Sequence, residues 1–309
     1  MTPREILLPR VATPDEATLL VGDLVPAREP TVKGPTVVRD AATGDLVAAY
    51  LPLTDVGRLR RALPEMHFGG VQRSSNYRSK SQTFGFAPRR PVRRREMCAA
   101  TSTTLKLPHV QRELDRVADQ CARLLEEVDP DVVRSSRSEV DDVLPEWKMG
   151  ESGLWTSGVV NDTAQLPYHR DAFNYPVWSA MPVLRRGTSG GYLHLPEYDL
   201  VVPCQDSYAV FFKGKDLVHG VTPITKRTED GYRYSVVYYA LRGMKDCYTH
   251  AVETAYGQRK RTERERDIAR RVARGELGIP GQERRRLSPE EADSSAEALD
   301  AATGKDDLE

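Results

Sequence analysis

Apolar positions recur along the chain at two different periods. From Leu107 to Val128, the residues Val110, Leu114, Val117, Cys121, Leu124 and Leu125 return every three or four positions. That stripe predicts an amphipathic helix over 107–128 whose task is to brace a sheet. From about Leu154 to Leu241 the pattern shortens. Segments 155–160, 192–195, 200–203, 208–212, 218–224 and 234–241 are rich in β-branched or aromatic residues, and Gly, Asp, Asn or Pro separates most of them. Many short strands with turn signals predict a sandwich or barrel. No helical crossovers alternate with them, which argues against a parallel α/β sheet. The predicted class is mainly β with flanking helices (α+β), built on a jelly-roll core of the double-stranded β-helix type at about 154–241.

Outside that core the signals are weaker. Residues 36–38 and 46–51 flank an Ala-Thr-Gly-Asp turn and predict a hairpin. Residues 54–64 suggest a short helix broken by Pro64. Residues 253–276 look helical, with arginine dense from Gln258 to Arg274. After Ile279 the chain is rich in Pro, Glu, Ser and Ala, too polar to form a core. The expected organisation is an N-terminal strand and hairpin extension over 1–60, a main domain over 61–252, a basic helical extension over 253–286 and a disordered tail over 287–309. No internal repeat is present.

Composition changes this picture only locally. The chain has 309 residues and a formal net charge of zero, so bulk charge identifies no partner. Its distribution does more. Between Arg58 and Arg95, eleven basic residues, including Arg73, Arg89, Arg90, Arg93, Arg94 and Arg95, are opposed by Glu65 alone, and Phe68, Tyr77, Phe84 and Phe86 are interspersed. Guanidinium groups mixed with rings suit phosphates and bases; a solvated, salt-bridged surface fits the same pattern. Four cysteines without a C-x-x-C pair argue against a zinc ribbon and read as reduced thiols. No signal-peptide pattern and no run of about 20 apolar residues is found. A soluble, cytoplasmic protein that is not secreted is the expectation, with no membrane and no obligate protein partner.

The candidate chemistry lies in the strand-rich part. His169-Arg170-Asp171 sets two ligand-type side chains at i and i+2, on one face of an extended segment. His219 follows at the end of another predicted strand. Two imidazoles and a carboxylate form the facial triad of non-heme iron(II), which leaves positions open for a co-substrate and dioxygen. An H-x-D pair alone is weak; the context strengthens it. Arg233 opens the apolar strand Arg233-Tyr-Ser-Val-Val-Tyr-Tyr-Ala-Leu241, and a buried arginine there needs an anion. Strand alternation puts Ser235 and Tyr239 on the same face. An arginine fork with a hydroxyl matches the distal carboxylate of 2-oxoglutarate. Asn161 reads equally as a turn residue or a co-substrate contact. In Gly190-Gly191-Tyr-Leu-His194-Leu-Pro-Glu197, the glycines read as backbone room beside the cofactor, and His194 as a strand residue rather than a ligand.

With these residues in view, the sequence resembles the 2-oxoglutarate/Fe(II) oxygenase superfamily over roughly Val71 to Cys247. Within it, the chain looks most like the TET/JBP group, which oxidises 5-methylpyrimidines in DNA. His169-Arg170-Asp171-Ala-Phe-Asn174 is similar to the H-R-D-x-x-N of TET enzymes, Arg233-Tyr-Ser235-Val-Val-Tyr-Tyr239 to their R-x-S strand, and Ser81-Gln-Thr-Phe84-Gly85-Phe86 to their S-x-S-F-G segment. The resemblance implies Fe(II), 2-oxoglutarate and O2 as cofactors. It also implies a DNA partner with a flipped-out base, which Asn174 and Tyr239 would contact while Arg93, Arg94 and Arg95 meet phosphates. Asn174 also reads as a turn cap. The animal enzymes' cysteine-rich zinc region and long insert are missing here, as in compact bacteriophage members, which implies a bacterial or phage-infected host cell. Leu241 stands where TET enzymes carry a base-contacting histidine. The implied activity is 5-methylcytosine oxidation; thymine hydroxylation and small-molecule or protein hydroxylation are the alternatives. A DNA-binding module on an inactive jelly roll is the non-enzymatic reading.

Overall fold

The structure is a computed structural model that describes residues 2–74, 77–90 and 95–274. Arg93, Arg94, the Arg73 side chain and everything from residue 275, including the expected tail, lie outside the described residues.

The chain begins with β1 (Arg4–Leu8), α1 (Pro14–Thr18), β2 (Thr36–Asp40), β3 (Leu46–Pro52) and α2 (Gly57–Ala62). β4 (Gly69–Ser74), β5 (Tyr77–Ala87) and the short β6 (Ala99–Ala100) follow. Three helices then run in succession: α3 (Ser102–Lys106), α4 (Pro108–Val128) and α5 (Pro130–Glu139). The strand-rich part holds β7 (Ser157–Asp162), β8 (Ser179–Arg186), β9 (Thr188–Gly190), β10 (Leu193–Leu195) and β11 (Leu200–Val202). It continues with β12 (Tyr208–Phe212), β13 (Gly220–Val221), β14 (Ile224–Lys226) and β15 (Tyr232–Tyr239) before the final α6 (His250–Ala273).

One large sheet runs in the order β1-β2-β3-β12-β8-β15-β7-β5-β4, with β6 paired to β5. Its pairs are antiparallel apart from β1 with β2. A smaller sheet, β11-β10-β13, faces it, and β9 and β14 form a two-stranded ribbon. The result is a jelly-roll core with flanking helices. The predicted hairpin at the N-terminus is present as β2 and β3, and β3 hydrogen-bonds to β12, so the first residues extend the main sheet.

Strand alternation builds two cores from one sheet. On β12, Val210 and Phe212 face the small sheet, where Leu193, Leu195, Leu200 and Val202 meet them. Ala209 and Phe211 point to the other side, toward the helices. There α4 presents Val110, Leu114, Val117, Cys121 and Leu125, each fully buried. Pro108 begins this helix at a position where its missing N–H is no loss, and Asp129 ends the pair by capping α5 through Asp131 and Val132 N–H. Burying each of these large side chains stabilises the fold by about 1.5–3 kcal/mol, so α4 holds the sheet that carries the site.

The cysteines depart from the sequence expectation. Cys98 and Cys247 form a disulfide across a separation of 149 residues, while Cys121 and Cys204 are free and buried. Folding brings the segment before β6 against the segment after β15, and no local spacing announces that approach. Among the described residues, no helix is long and apolar enough to cross a membrane.

Candidate metal centre

His169 and His219 lie opposite each other as a two-residue bridge, each backbone N–H donating to the other's carbonyl, at 2.9 and 3.0 Å. The pairing lies next to β13, and it sets the two rings side by side, tilted at 54° with centroids 4.2 Å apart. Nδ1 of His169 lies 2.9 Å from the Pro167 carbonyl and Nδ1 of His219 lies 3.0 Å from that of Leu217. A carbonyl only accepts, so each Nδ1 donates and each Nε2 is the nitrogen left to face a metal. This is the arrangement that fixes tautomer and ring orientation in metal-ligating histidines.

Asp171 supplies the third donor. Its Oδ1 is 3.9 Å from His169 Nε2 and its Oδ2 is 4.0 Å from His219 Nε2. Those gaps are too long for hydrogen bonds; an ion bonded at about 2 Å to each atom spans them. One ligand atom from each of the three residues falls within 4.8 Å of the others. The carboxylate has room because residue 214 is glycine: a Cβ there would stand 2.5 Å from Asp171 Oδ2. The Asp171 N–H donates to the Gly214 carbonyl at 3.0 Å, which fixes that approach.

A residue that the sequence reading left without a role joins the two ligand-bearing segments. Glu197 is fully buried, and its Oε1 accepts from Val218 N–H at 2.9 Å and from Arg170 Nη2 at 3.4 Å. Arg170 separates His169 from Asp171, and Val218 precedes His219, so one carboxylate steadies both. An acid in the otherwise apolar stretch Leu195–Tyr198 was the available signal.

On β15, Arg233 is fully buried and none of its three side-chain nitrogens has a hydrogen-bond partner. Burial pushes its guanidinium below the ordinary arginine range; the adjoining Cys204 thiol opposes this and the Arg185 guanidinium adds to it. Arg185 is itself turned to the carbonyls of Thr188, Gly190 and Cys204. No carboxylate compensates Arg233, and an uncompensated buried cation costs several kcal/mol. Gly191, at φ +69°, leaves room that a Cβ would take, 2.8 Å from Arg233 Cδ and Nε. Ser235 and Asn161 lie one strand apart in register, both buried, with Asn161 Nδ2 donating to Ser235 Oγ at 3.4 Å.

The remaining sequence candidates divide. Asn174 is buried, bridged through its backbone to Leu241, and its N–H donates to the Asp171 carbonyl. Tyr239, at the far end of β15, packs against the helix-side core, away from Arg233 and Ser235. His194 holds Tyr168 Oη with Nδ1 at 2.6 Å and Asp199 with Nε2 at 3.2 Å, so both ring nitrogens are engaged. Arg95 pairs with Arg90 across a backbone bridge, and the Arg90 guanidinium lies 6.0 Å from the ring centroid of Phe173, two residues past Asp171. The basic stretch therefore reaches the metal loop.

Solved structures share this architecture. NgTET1 in complex with 5mC DNA superposes with a TM-score of 0.52 at 18% identity, over 73% of this chain and 85% of that one. The chain has a TET-like 2-oxoglutarate/Fe(II) oxygenase fold. Of looser superpositions, a 2OG-Fe(II) oxygenase family protein from Burkholderia pseudomallei gives a TM-score of 0.41 at 12% identity, over 78% of this chain and all of that one. The viral collagen prolyl hydroxylase of Paramecium Bursaria Chlorella virus-1 gives 0.36 at 10%, over 62% and 94%. Neither of these two is close enough to bear on the argument. No protein-family profile matches the chain, and no curated protein does. The TET-like oxygenase fold implies Fe(II), 2-oxoglutarate and O2, and the residues present fit them. Two imidazoles, each with Nδ1 held by a carbonyl, and a carboxylate suit iron(II), and Arg233, with no carboxylate beside it, suits an anionic co-substrate.

Proposed function

We propose that this protein is an Fe(II)- and 2-oxoglutarate-dependent oxygenase that converts the methyl group of 5-methylcytosine in DNA to a hydroxymethyl group. The observation that carries the oxygenase reading is Arg233: a fully buried guanidinium without a counter-ion, on the same jelly roll as a set of three metal-ready ligands. His169, Asp171 and His219 hold the iron. Arg233 takes the distal carboxylate of 2-oxoglutarate, and Ser235 adds a hydroxyl beside it. Bound there, the metal would supply the oxygen chemistry, in which O2 and 2-oxoglutarate are consumed, succinate and carbon dioxide leave, and one oxygen atom is added to the substrate methyl. The protein orients the ligands, fixes their protonation and keeps water from the buried co-substrate end.

Three features support DNA as the substrate. Arg90 and the exposed Arg242 lie against the loop that follows Asp171, as a phosphate-binding rim requires. Asn174 stands three residues after Asp171 and offers an amide to a base edge. The protein with which the chain shares its fold was captured with 5mC DNA. A duplex must release the base to reach such an iron. Thymine is the second reading, favoured by Leu241, which gives an apolar, buried side chain beside Asn174 and no imidazole to meet a cytosine edge.

The test is mass spectrometry of nucleosides after incubation with Fe(II), 2-oxoglutarate and O2, on matched duplexes carrying 5-methylcytosine or thymine as the methylated base. The expected result is 5-hydroxymethylcytosine with matching succinate, lost in His169→Ala. Product from thymine alone overturns the base assignment. Succinate formation at the wild-type rate in His169→Ala overturns the metal site.

A further inference from the structure

Phe173 is a large aromatic left in solvent, 56% exposed, in a loop whose two neighbours serve the site. Asp171 precedes it by two residues and the buried Asn174 follows it. Single exposed apolar residues are ordinary, and exposure alone assigns nothing. The loop, however, is held from both ends. Arg242 donates its backbone N–H to the Phe173 carbonyl at 3.1 Å and its Nη2 to the Ala172 carbonyl at 3.0 Å. Asn174 N–H returns to the Asp171 carbonyl at 3.1 Å, and Tyr175 N–H donates to the Ala240 carbonyl at 2.8 Å. A backbone tied this firmly presents its ring outward in one place, with little conformational entropy left to lose on contact.

The surroundings of the ring are cationic. Arg90 stands over it at 6.0 Å, and Arg242, anchored to the same loop, is exposed. The preceding arginine repeats the arrangement: Arg89 lies 4.5 Å from the ring centroid of Tyr248, itself 51% exposed. Aromatic faces set among guanidinium groups are the composition of a surface that meets stacked bases between phosphates. A small uncharged ligand would have no use for it.

We propose that Phe173 is a wedge that enters the base stack of duplex DNA at the nucleotide being extruded toward the metal. The proposal rests on DNA being the substrate. Extruding a base from a duplex costs a few kcal/mol in lost stacking and pairing, and much less from a single strand. An apolar side chain inserted at the step offsets part of that loss. The ring therefore matters where a stack exists to be opened, and Phe173 sets the preference of the enzyme for duplex over single-stranded DNA.

The experiment compares wild type, Phe173→Ala and Phe173→Trp on one 5-methylcytosine oligonucleotide, single-stranded and annealed. It also follows the fluorescence of 2-aminopurine placed beside the target base when metal-free protein binds the duplex. In Phe173→Ala the ratio of duplex to single-strand kcat/KM is expected to fall at least tenfold, with the 2-aminopurine rise lost. Phe173→Trp is expected to restore both. Equal fractional loss on the two substrates, or an unchanged ratio with the fluorescence rise intact, overturns the wedge while leaving the DNA reading in place. A wild-type protein that oxidises neither substrate overturns the DNA reading and the wedge with it.

Discussion

Arg233 defines what a single residue does in this molecule. Its guanidinium is buried with no carboxylate beside it and only the Cys204 thiol adjoining, so the ligand-free protein carries a charge that, on the proposed reading, 2-oxoglutarate would neutralise. Arg233→Met is therefore expected to stabilise the ligand-free protein by about 1–4 kcal/mol, a rise of a few degrees in Tm. The same change should remove the Tm increase that 2-oxoglutarate gives the wild type. A ligand-free Tm that falls on substitution would show that Arg233 has a partner. His194 provides a second test at this scale. Burial first, then the nearby Arg28, holds its imidazole at about 4, against an ordinary 6.5. Between these values the unfolded chain binds a proton that the folded one refuses, so stability falls as pH drops from about 6.5 to 4. The full effect is on the order of 3 kcal/mol. His194→Gln lacks this dependence, so denaturant titrations should show the stability gap between wild type and variant shifting by that amount across the window. Asp115, which burial pushes up to about 6, contributes with the opposite sign in both proteins and cancels in the comparison. Parallel curves would sink the assignment.

At the scale of elements, α4 bears on the site through packing alone. Leu114 is fully buried against the sheet, and its carbonyl accepts from Tyr238 Oη at 2.8 Å. Leu114→Ala is expected to destabilise the protein by about 2–5 kcal/mol in urea or guanidinium unfolding, with iron affinity per folded molecule preserved. Loss of iron affinity without loss of stability would contradict a bracing role. This helix was legible in the sequence because its partner is a flat apolar surface, which demands a clean stripe. β12 was legible for the same reason, being apolar on both faces. β5 was not. In its first half the buried positions are Ser79, Ser81 and Thr83, with Arg78 and Lys80 exposed and Gln82 half-buried, so its alternation runs from polar to polar and reads as a basic stretch. β8 was hidden differently: buried on both faces at Ala180, Met181, Val183 and Leu184 but interrupted by Pro182, it shows no period. The predicted strand 218–224 is split into β13 and β14 by Pro223. Of the site, the ligand-type residues and Arg233 stood out because their chemistry is out of place on apolar strands. Glu197 acts through backbone contacts that no spacing reveals.

The whole molecule is closed by contacts distant in sequence. The Cys98–Cys247 disulfide joins positions 149 residues apart, and nearby Glu253, fully buried at the start of α6, accepts from Cys98 N–H and Tyr248 N–H at 2.8 Å each. Cross-linking so long a loop restricts the unfolded chain, and its removal in Cys98→Ser/Cys247→Ser is expected to lower stability by about 2–5 kcal/mol. Reductant should shift the wild-type Tm toward that of the double variant and leave the variant unmoved; equal Tm values in oxidised wild type and variant would refute it.

The reciprocal backbone pairing of His169 with His219 also fixes an order in time. A nascent chain emerges from its N-terminus at about 5–20 residues per second. Until residue 219 has emerged, His169 and Asp171 stand without their partner strand, and two donors on an unpaired segment make a poor chelate. Arg233 emerges later still, so the residue proposed to anchor the co-substrate is the last of the site to be delivered. On the proposed reading, a chain released before residue 219 would lack a complete iron site, and one released between 219 and 233 would hold the ligands without the guanidinium that anchors the co-substrate, so a half-made protein would have no means of activating oxygen.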